Sequence, residues 1–330
     1  MITSVRRTAA VAAVAALSAA LAACGSGAGT SDVGGQARMG ASAAGAGTSD
    51  VGGQARMGAS AAPSGPAPVS PSAAVSAAPQ SRPQSSPPAA PQAGAPGKAP
   101  TMAPGPGGLT PVFDRAKQHT DKTVALTFDA DMTSDQGPRA AGGEHFDNPQ
   151  LISALRTLKV PSTVFMTGRW AEEYPDQAKS IGTDPNFEIA NHSYSHHAFK
   201  SPCYGLPTLD EAAARADVDR AFEAFHKAGA VNTVPYFRFP GGCYDDEALR
   251  AISTAKVTAV QWDVVSGDAF AKDPDAVAEQ VLAGVKPGSV VVMHCTRSAA
   301  PVTEEAIRKI VPELRKRGYR FVKVSELIGK

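Results

Sequence analysis

The sequence predicts one α/β domain, a parallel sheet or barrel, behind a long disordered linker. Three observations carry that expectation. None of the 12 Phe, 6 Tyr and 2 Trp of the 330-residue chain precedes Phe113, whereas 14 of its 27 prolines do. A segment without aromatics and with few large aliphatics buries too little apolar surface to offset the entropy of ordering it. From Asp121 onward, short β-branched runs alternate with helical stretches, the pattern of a parallel α/β fold. Polar residues of catalytic type then follow one strand after another, the end at which parallel barrels place their active sites. The part from Arg115 on, about 215 residues, is one domain by size. It holds 26 basic and 28 acidic residues, so it lacks the positive field that nucleic-acid binding relies on.

Taken in chain order, the N-terminus reads as an export signal. Arg6 and Arg7 precede a run of Ala, Val, Leu and Ser too short to span a bilayer. That run ends in Leu21-Ala22-Ala23-Cys24, which resembles the lipobox of bacterial lipoproteins. The resemblance implies a signal peptide over 1–23 and acylation of Cys24, hence a protein held at the extracellular face of the cell membrane. Simple secretion is the other reading.

A disordered tether is expected over 24–115. Residues 27–44 read GAGTSDVGGQARMGASAA and residues 45–62 repeat them letter for letter. Solenoid repeats are longer and carry an apolar face to stack; this one offers only Val33 and Met39, so it is duplicated linker. From Pro63 to Pro111 the composition turns Pro/Ala/Ser-rich, which favours extended, semi-rigid conformations.

Within the domain expected over 116–330, strands are predicted at 123–128, 162–166, 187–190, 236–239, 258–262, 289–293 and 320–324. Helices are predicted at 149–158, 209–228, 273–283 and 304–317. The 209–228 helix is expected to place Ala213, Ala216, Phe222 and Phe225 mostly on one face. Asp129 and Asp131 follow the first of these strands, His192 and His196 the third, Asp268 the fifth; Arg238 closes the fourth and His294 ends the sixth.

His192-Ser193-Tyr194-Ser195-His196 has a spacing that brings two imidazoles to one face of a helical turn, where they share a metal. Two imidazoles and one carboxylate complete a catalytic zinc set that leaves a position open for water. Read singly, each Asp is a cap or turn residue, His294 a buried histidine bonded to backbone and Arg238 a surface ion pair. Their common placement at strand ends favours one site over these separate roles.

The segments Thr127-Phe128-Asp129-Ala130-Asp131, His192–His196, Arg238-Phe239-Pro240-Gly241-Gly242, Trp262–Asp268 and Val292-Met293-His294 resemble the five ordered motifs of the polysaccharide deacetylases. This is the NodB-homology group, also called carbohydrate esterase family four. The resemblance runs from about Lys122 to the C-terminus. It implies a distorted (β/α) barrel of seven or eight strands and hydrolysis of acetyl groups assisted by a divalent metal, zinc foremost, with cobalt or manganese as candidates. By position, Asp129 resembles the general base, and Asp131, His192 and His196 the metal ligands. His294 resembles the general acid, Asp268 the carboxylate that orients and charges it, and Arg238 the partner that holds the base. The backbone N–H of Gly241, in the Pro240-Gly241 turn, resembles the oxyanion donor.

Three departures stand out. Ala130 separates the two aspartates that are usually adjacent. Ala269 follows Asp268 where a Trp is usual, so that either Trp262 fills that space from its strand or the acyl pocket is differently shaped. Gly241 follows Pro240 where a Tyr is usual. Of the four cysteines, Cys203 and Cys243 are expected to pair, leaving Cys295 buried beside His294; pairing of Cys295 is the runner-up and a thiol ligand to the metal the third reading.

The resulting expectation is a tethered, monomeric, metal-dependent deacetylase. Its substrate is an extracellular or cell-wall polysaccharide rich in N-acetylglucosamine, whether peptidoglycan or a chitin-like polymer, or else acetylxylan. Two other readings stay open: a related C–N hydrolase acting on a non-sugar amide, and a non-catalytic glycan-binding lipoprotein.

Overall fold

The computed structural model describes residues 99–118 and 121–329. The expected signal peptide, the Cys24 anchor and the tandem repeat lie outside the described residues. Nine strands form one sheet: β1 (Val112–Phe113), β2 (Thr123–Ala130), β3 (Ser162–Met166), β4 (Phe187–Asn191), β5 (Thr233–Phe237), β6 (Thr258–Val260), β7 (Val264–Val265), β8 (Ser289–His294) and β9 (Arg320–Phe321). Their order is β1-β6-β5-β4-β3-β2-β8-β7, with β9 on β2. All pairs are parallel. A bridge from Arg115, just past β1, to Ser289 of β8 draws the two ends of that order together. The sheet is thereby a curled half-barrel, as the distorted barrel expected from sequence requires.

Helices α1 (Gly137–Ala141), α2 (Pro149–Thr157), α3 (Gly168–Glu173), α4 (Pro175–Gly182), α5 (Glu211–Lys227), α6 (Asp246–Ala251), α7 (Pro274–Gly284), α8 (Thr303–Lys316) and α9 (Val324–Ile328) connect the strands. Local chemistry sets their starts. Asn148 accepts from the Leu151 N–H ahead of Pro149 in α2, and Asp273 accepts from the Asp275 N–H ahead of Pro274 in α7. Glu304 and Glu305 open α8 while Arg315 and Lys316 close it, matching the helix dipole at both ends.

Strand alternation sorts the sheet into two faces. Val124, Leu126 and Phe128 of β2, Val164 of β3, and Val291 and Met293 of β8 pack with Leu151, Leu155, Ile307, Ile310 and Leu314 of the helices. Each of these larger side chains contributes about 1.5–3 kcal/mol by leaving water. The opposite face holds Ala125, Phe165, Ala190, Tyr236, Val260, Val290 and Val322 in a second core inside the curl. Both faces of β2, β3 and β4 are therefore buried throughout, as in other covered parallel sheets.

Several sequence expectations are corrected. The tether does not run to residue 115. Ala99 packs against the inner core, Tyr236 Oη donates to the Pro100 carbonyl at 2.7 Å, Met102 N–H donates to Thr258 Oγ1 at 3.0 Å, and β1 pairs with β6. Proline-rich composition concealed this because the contacts go through backbone groups. The fourth strand ends at Phe237, before Arg238 rather than after it. The expected 258–262 strand stops at Val260 as β6, and the separate strand β7 follows at Val264–Val265 and pairs with β8. The last strand stops at Phe321, because the Glu326 carboxylate accepts from the Lys323 N–H and starts α9. In α5 the buried stripe is Ala214, Val218, Ala221 and Phe225, while Ala213 and Ala216 are exposed.

Candidate active site

The same alternation that builds the inner core carries the polar residues to its upper end. Asp129 lies four residues past Ala125, His192 two past Ala190, Arg238 two past Tyr236, Trp262 two past Val260, and His294 four past Val290, so each shares the parity of its inner-core residue. Asp129 is also in direct register with His294 across the β2–β8 pair. The sheet therefore gathers these side chains at the C-terminal ends of its strands.

Arg238 is fully buried. Its Nη1 donates to Asp129 Oδ1 at 2.6 Å, its Nε donates to the Val260 carbonyl at 3.1 Å, and its guanidinium lies 3.8 Å from the centroid of the Phe165 ring. A buried guanidinium so satisfied compensates the buried carboxylate of Asp129 and fixes which oxygen is engaged. Asp129 Oδ2 is left facing the His192 imidazole, 3.7 Å from its Nε2.

Asp131, His192 and His196 offer ligand atoms that all lie within 4.8 Å of one another. Asp131 Oδ1 is 3.3 Å from His192 Nε2 and 3.6 Å from His196 Nε2. That oxygen is buried and accepts no hydrogen bond, an arrangement that is costly without a cation. His192 Nδ1 is 2.8 Å from the Arg238 carbonyl. A carbonyl only accepts, so Nδ1 carries the proton and Nε2 is the nitrogen turned to the cluster. Burial opposes charge on His192, yet Asp129 and Asp131 raise its pKa, so the pocket attracts positive charge. Burial pushes His196 down to about 4, against the pull of Asp131. Against burial, which would raise it, His196 and His192 hold the Asp131 carboxyl well below the usual carboxylate range. A carboxylate, two imidazoles and an orphaned buried oxygen fit a divalent metal of the zinc type.

The histidine spacing does not work through a helical turn. Residues 192–197 form a loop in which Ser193 and His196 have φ of 67° and 58°. The Asn191 side chain accepts from the Ser193 N–H at 2.8 Å and Ser193 Oγ accepts from the His196 N–H at 2.9 Å, which folds the loop back on itself.

His294 Nδ1 is 2.8 Å from Asp268 Oδ1. Burial disfavours its charge, but Asp268 pushes the imidazole up to about 10. Asp268 is itself held by Thr303 Oγ1 at 2.7 Å, by Ser266 Oγ at 2.9 Å and by the His294 N–H at 2.7 Å. Pro240 is buried and Gly241 exposed, with φ of 64° at Gly241. Trp262 closes on Gly242 so tightly that a Cβ there would meet the indole at 2.4 Å. Cys203 and Cys243 form a disulfide beside this turn. Cys295 is free and buried, its thiol pushed up to about 12 by burial, and it is not in the ligand cluster.

Sequence reasoning missed the groups that hold the functional ones. Thr296 is the clearest case. Its Oγ1 accepts from the Asp131 N–H at 2.9 Å, while the Cys295 N–H donates to the Asp129 carbonyl at 2.7 Å. The β2–β8 ladder thus continues past its last regular pair, with a threonine hydroxyl standing in for a carbonyl. This carries Asp131 to the histidines despite the intervening Ala130.

A family profile described as polysaccharide deacetylase matches residues 116–260. The chain is 29% identical over 214 residues to a peptidoglycan-N-acetylglucosamine deacetylase of Bacillus cereus, covering 64% of this chain and 90% of that one. It is 28% identical over 202 residues to a chitooligosaccharide deacetylase of Sinorhizobium fredii, covering 57% and 86%. Among solved structures it resembles a carbohydrate esterase family 4 pseudoenzyme from Bacillus anthracis, with 25% identity, a TM-score of 0.54, and coverage of 69% of this chain and 70% of that one. A mutant of that pseudoenzyme with restored enzymatic activity is similar to the same degree, at 26% identity and a TM-score of 0.54. The polysaccharide deacetylase profile thus covers most of the described domain, and the relatives matched along it are named as deacetylases, hydrolases of carbon–nitrogen bonds.

Proposed function

We propose that this chain removes acetyl groups from N-acetylglucosamine units of an extracellular polysaccharide, with a divalent metal, zinc foremost, held by Asp131, His192 and His196. The observation that carries the reading is one juxtaposition: the three-ligand cluster borders the Asp129–Arg238 pair, and Asp129 is in register with His294 of the Asp268–His294 pair. When bound, the ion supplies Lewis-acid stabilisation of the acetyl carbonyl and lowers the pKa of a water. Asp129 Oδ2, the oxygen that Arg238 leaves free, takes a proton from the attacking water. His294, with Nδ1 committed to Asp268, gives the proton on Nε2 to the departing sugar nitrogen. The Gly241 N–H, on the exposed turn after β5, donates to the developing oxyanion. Water and amide become acetic acid, which ionises to acetate on release, and amine, with one proton taken by Asp129 and one given by His294.

The likeness to a pseudoenzyme makes non-catalytic glycan binding the second reading, and the full set of acid, base and ligand side chains argues against it. The N-terminal pattern supports export and acylation at Cys24 of a monomeric enzyme, and peptidoglycan is then the nearest polymer. Acetate release from N-acetylchitopentaose and from peptidoglycan tests the proposal. Release is expected in the wild type and should fall at least a hundredfold, about 10²–10⁴, in Asp129→Asn and His294→Ala. Release that survives both substitutions contradicts the assigned roles.

A further inference from the structure

Among the described residues, five large apolar side chains are exposed, and only two of those are aromatic: Tyr204, 89% exposed, and Phe270, 81% exposed. They lie on different loops, each of which carries or touches a residue of the site. Tyr204 follows Cys203, whose disulfide to Cys243 ties the β4–α5 loop to the segment leaving β5. A Cβ added at Gly241 would meet Cys203 Sγ at 2.6 Å and Tyr204 Cδ2 at 3.3 Å. The ring thus borders the backbone of Gly241 and fills space that a side chain there would take. Phe270 lies two residues past Asp268. Its N–H donates to the carbonyl of Ala299, in the segment after His294, at 2.6 Å, and the next N–H, of Ala271, donates back to the Asp268 carbonyl at 3.1 Å.

Both residues have left-handed backbones, with φ of 45° at Tyr204 and 61° at Phe270. Bulky side chains adopt that region at a cost and keep it only where their surroundings enforce it, as at ligand clamps. Here a disulfide enforces one and two hydrogen bonds the other. The result opposes the hydrophobic effect, because each turn displays a ring that would gain by burial. Such a ring gains when a flat apolar face covers it. A pyranose chair with equatorial substituents offers that face through its axial C–H groups and keeps its hydroxyls at the edge, in water.

We propose that Tyr204 and Phe270, on the loops that adjoin Gly241 and Asp268, are two sugar platforms, each holding one pyranose of a β-linked polymer while another unit reaches Asp129 and His294. This rests on the polysaccharide reading above and adds the residues that select a chain over a single sugar.

The test is calorimetric titration of N-acetylchitopentaose into the full-length, zinc-supplemented protein carrying Asp129→Asn, which prevents turnover. In that background Tyr204→Ala and Phe270→Ala should each weaken pentaose binding about tenfold, and the affinity ratio of pentaose to N-acetylglucosamine should fall with it. Tyr204→Phe and Phe270→Trp should restore pentaose affinity, since the ring and not the hydroxyl is at work. Thermal unfolding of each variant should match the parent. Absence of pentaose binding by the parent overturns the proposal, as does unchanged affinity in the double alanine variant or a loss accompanied by a lower melting temperature. A changed oligomeric state with unchanged pentaose affinity assigns the rings to protein contact and overturns it too. Acetate release is read separately with Asp129 intact: pentaose that binds through both rings and is not deacetylated refutes the enzymatic reading and leaves the platforms standing.

Discussion

Asp131 is the residue on which the ligand cluster depends, because Ala130 displaces it one position along the chain from Asp129. Its backbone is set by the Thr296 hydroxyl, so Thr296→Val leaves the Asp131 N–H unpaired and loosens the carboxylate. Zinc affinity, measured by competition titration, should fall about 10–100-fold and return in Thr296→Ser; unchanged affinity in the valine variant removes Thr296 from the account. His294 makes a second prediction at this scale. Its pKa is raised from the unfolded value near 6.5 to about 10 by Asp268. A raised folded-state pKa means that its contribution to stability is full below about pH 6.5 and is lost as pH rises through about 10. The acid form also serves catalysis over the same range, so activity should persist to alkaline pH. In Asp268→Asn the charge that opposes burial is gone, and the alkaline limb of kcat/KM should move to lower pH; an unmoved limb contradicts the pairing. Asp129, Asp131, His192, His196, Asp268 and His294 were legible as candidate site residues in the sequence because each ends or follows a strand with a distinctive residue type. Thr296 and Thr303 were not, since a threonine after a histidine or at a helix start has many ordinary uses.

At the scale of elements, strand parity explains why the site assembles and turn chemistry explains what was misread. The positions two or four residues before Asp129, His192, Arg238, Trp262 and His294 are Ala125, Ala190, Tyr236, Val260 and Val290, all in the inner core. Extending their alternation by one step fixes where the functional side chains project. The 192–197 loop escaped because left-handed backbone at a serine and a histidine leaves no mark on spacing. In α5 the stripe was displaced because alanines fill both the buried and the exposed faces, so periodicity alone cannot choose between them. The structure makes the choice testable. Val218→Ala, at a fully buried position, should cost about 1–2 kcal/mol in urea unfolding, while Ala216→Ser should stay within about 0.5 kcal/mol. Equal costs would mean that the helix is rotated from its described position. No helix among the described residues is long and apolar enough to cross a membrane.

For the whole molecule, the absence of aromatics before Phe113 divided the chain, but the described domain starts earlier than that division. Residues 99–113 close the lower side of the curl through Pro100, Met102 and β1. Removal of residues 1–98 should leave the melting temperature unchanged, whereas removal of 1–115 should lower it by about 5–10 °C, through loss of Phe113 burial and of the β1–β6 pairing. Equal melting temperatures would return the boundary to residue 115. The central claim is that hydrolysis runs at the Asp131–His192–His196 cluster with a metal in place. Acetate released from N-acetylchitopentaose by the purified full-length protein, before chelation, after it, and after zinc is restored, tests this most directly. Release should stop on chelation, return with about one equivalent of zinc, and fail to return in His196→Ala. Release that survives complete metal removal, or none from the intact protein supplied with zinc, cobalt or manganese, contradicts it.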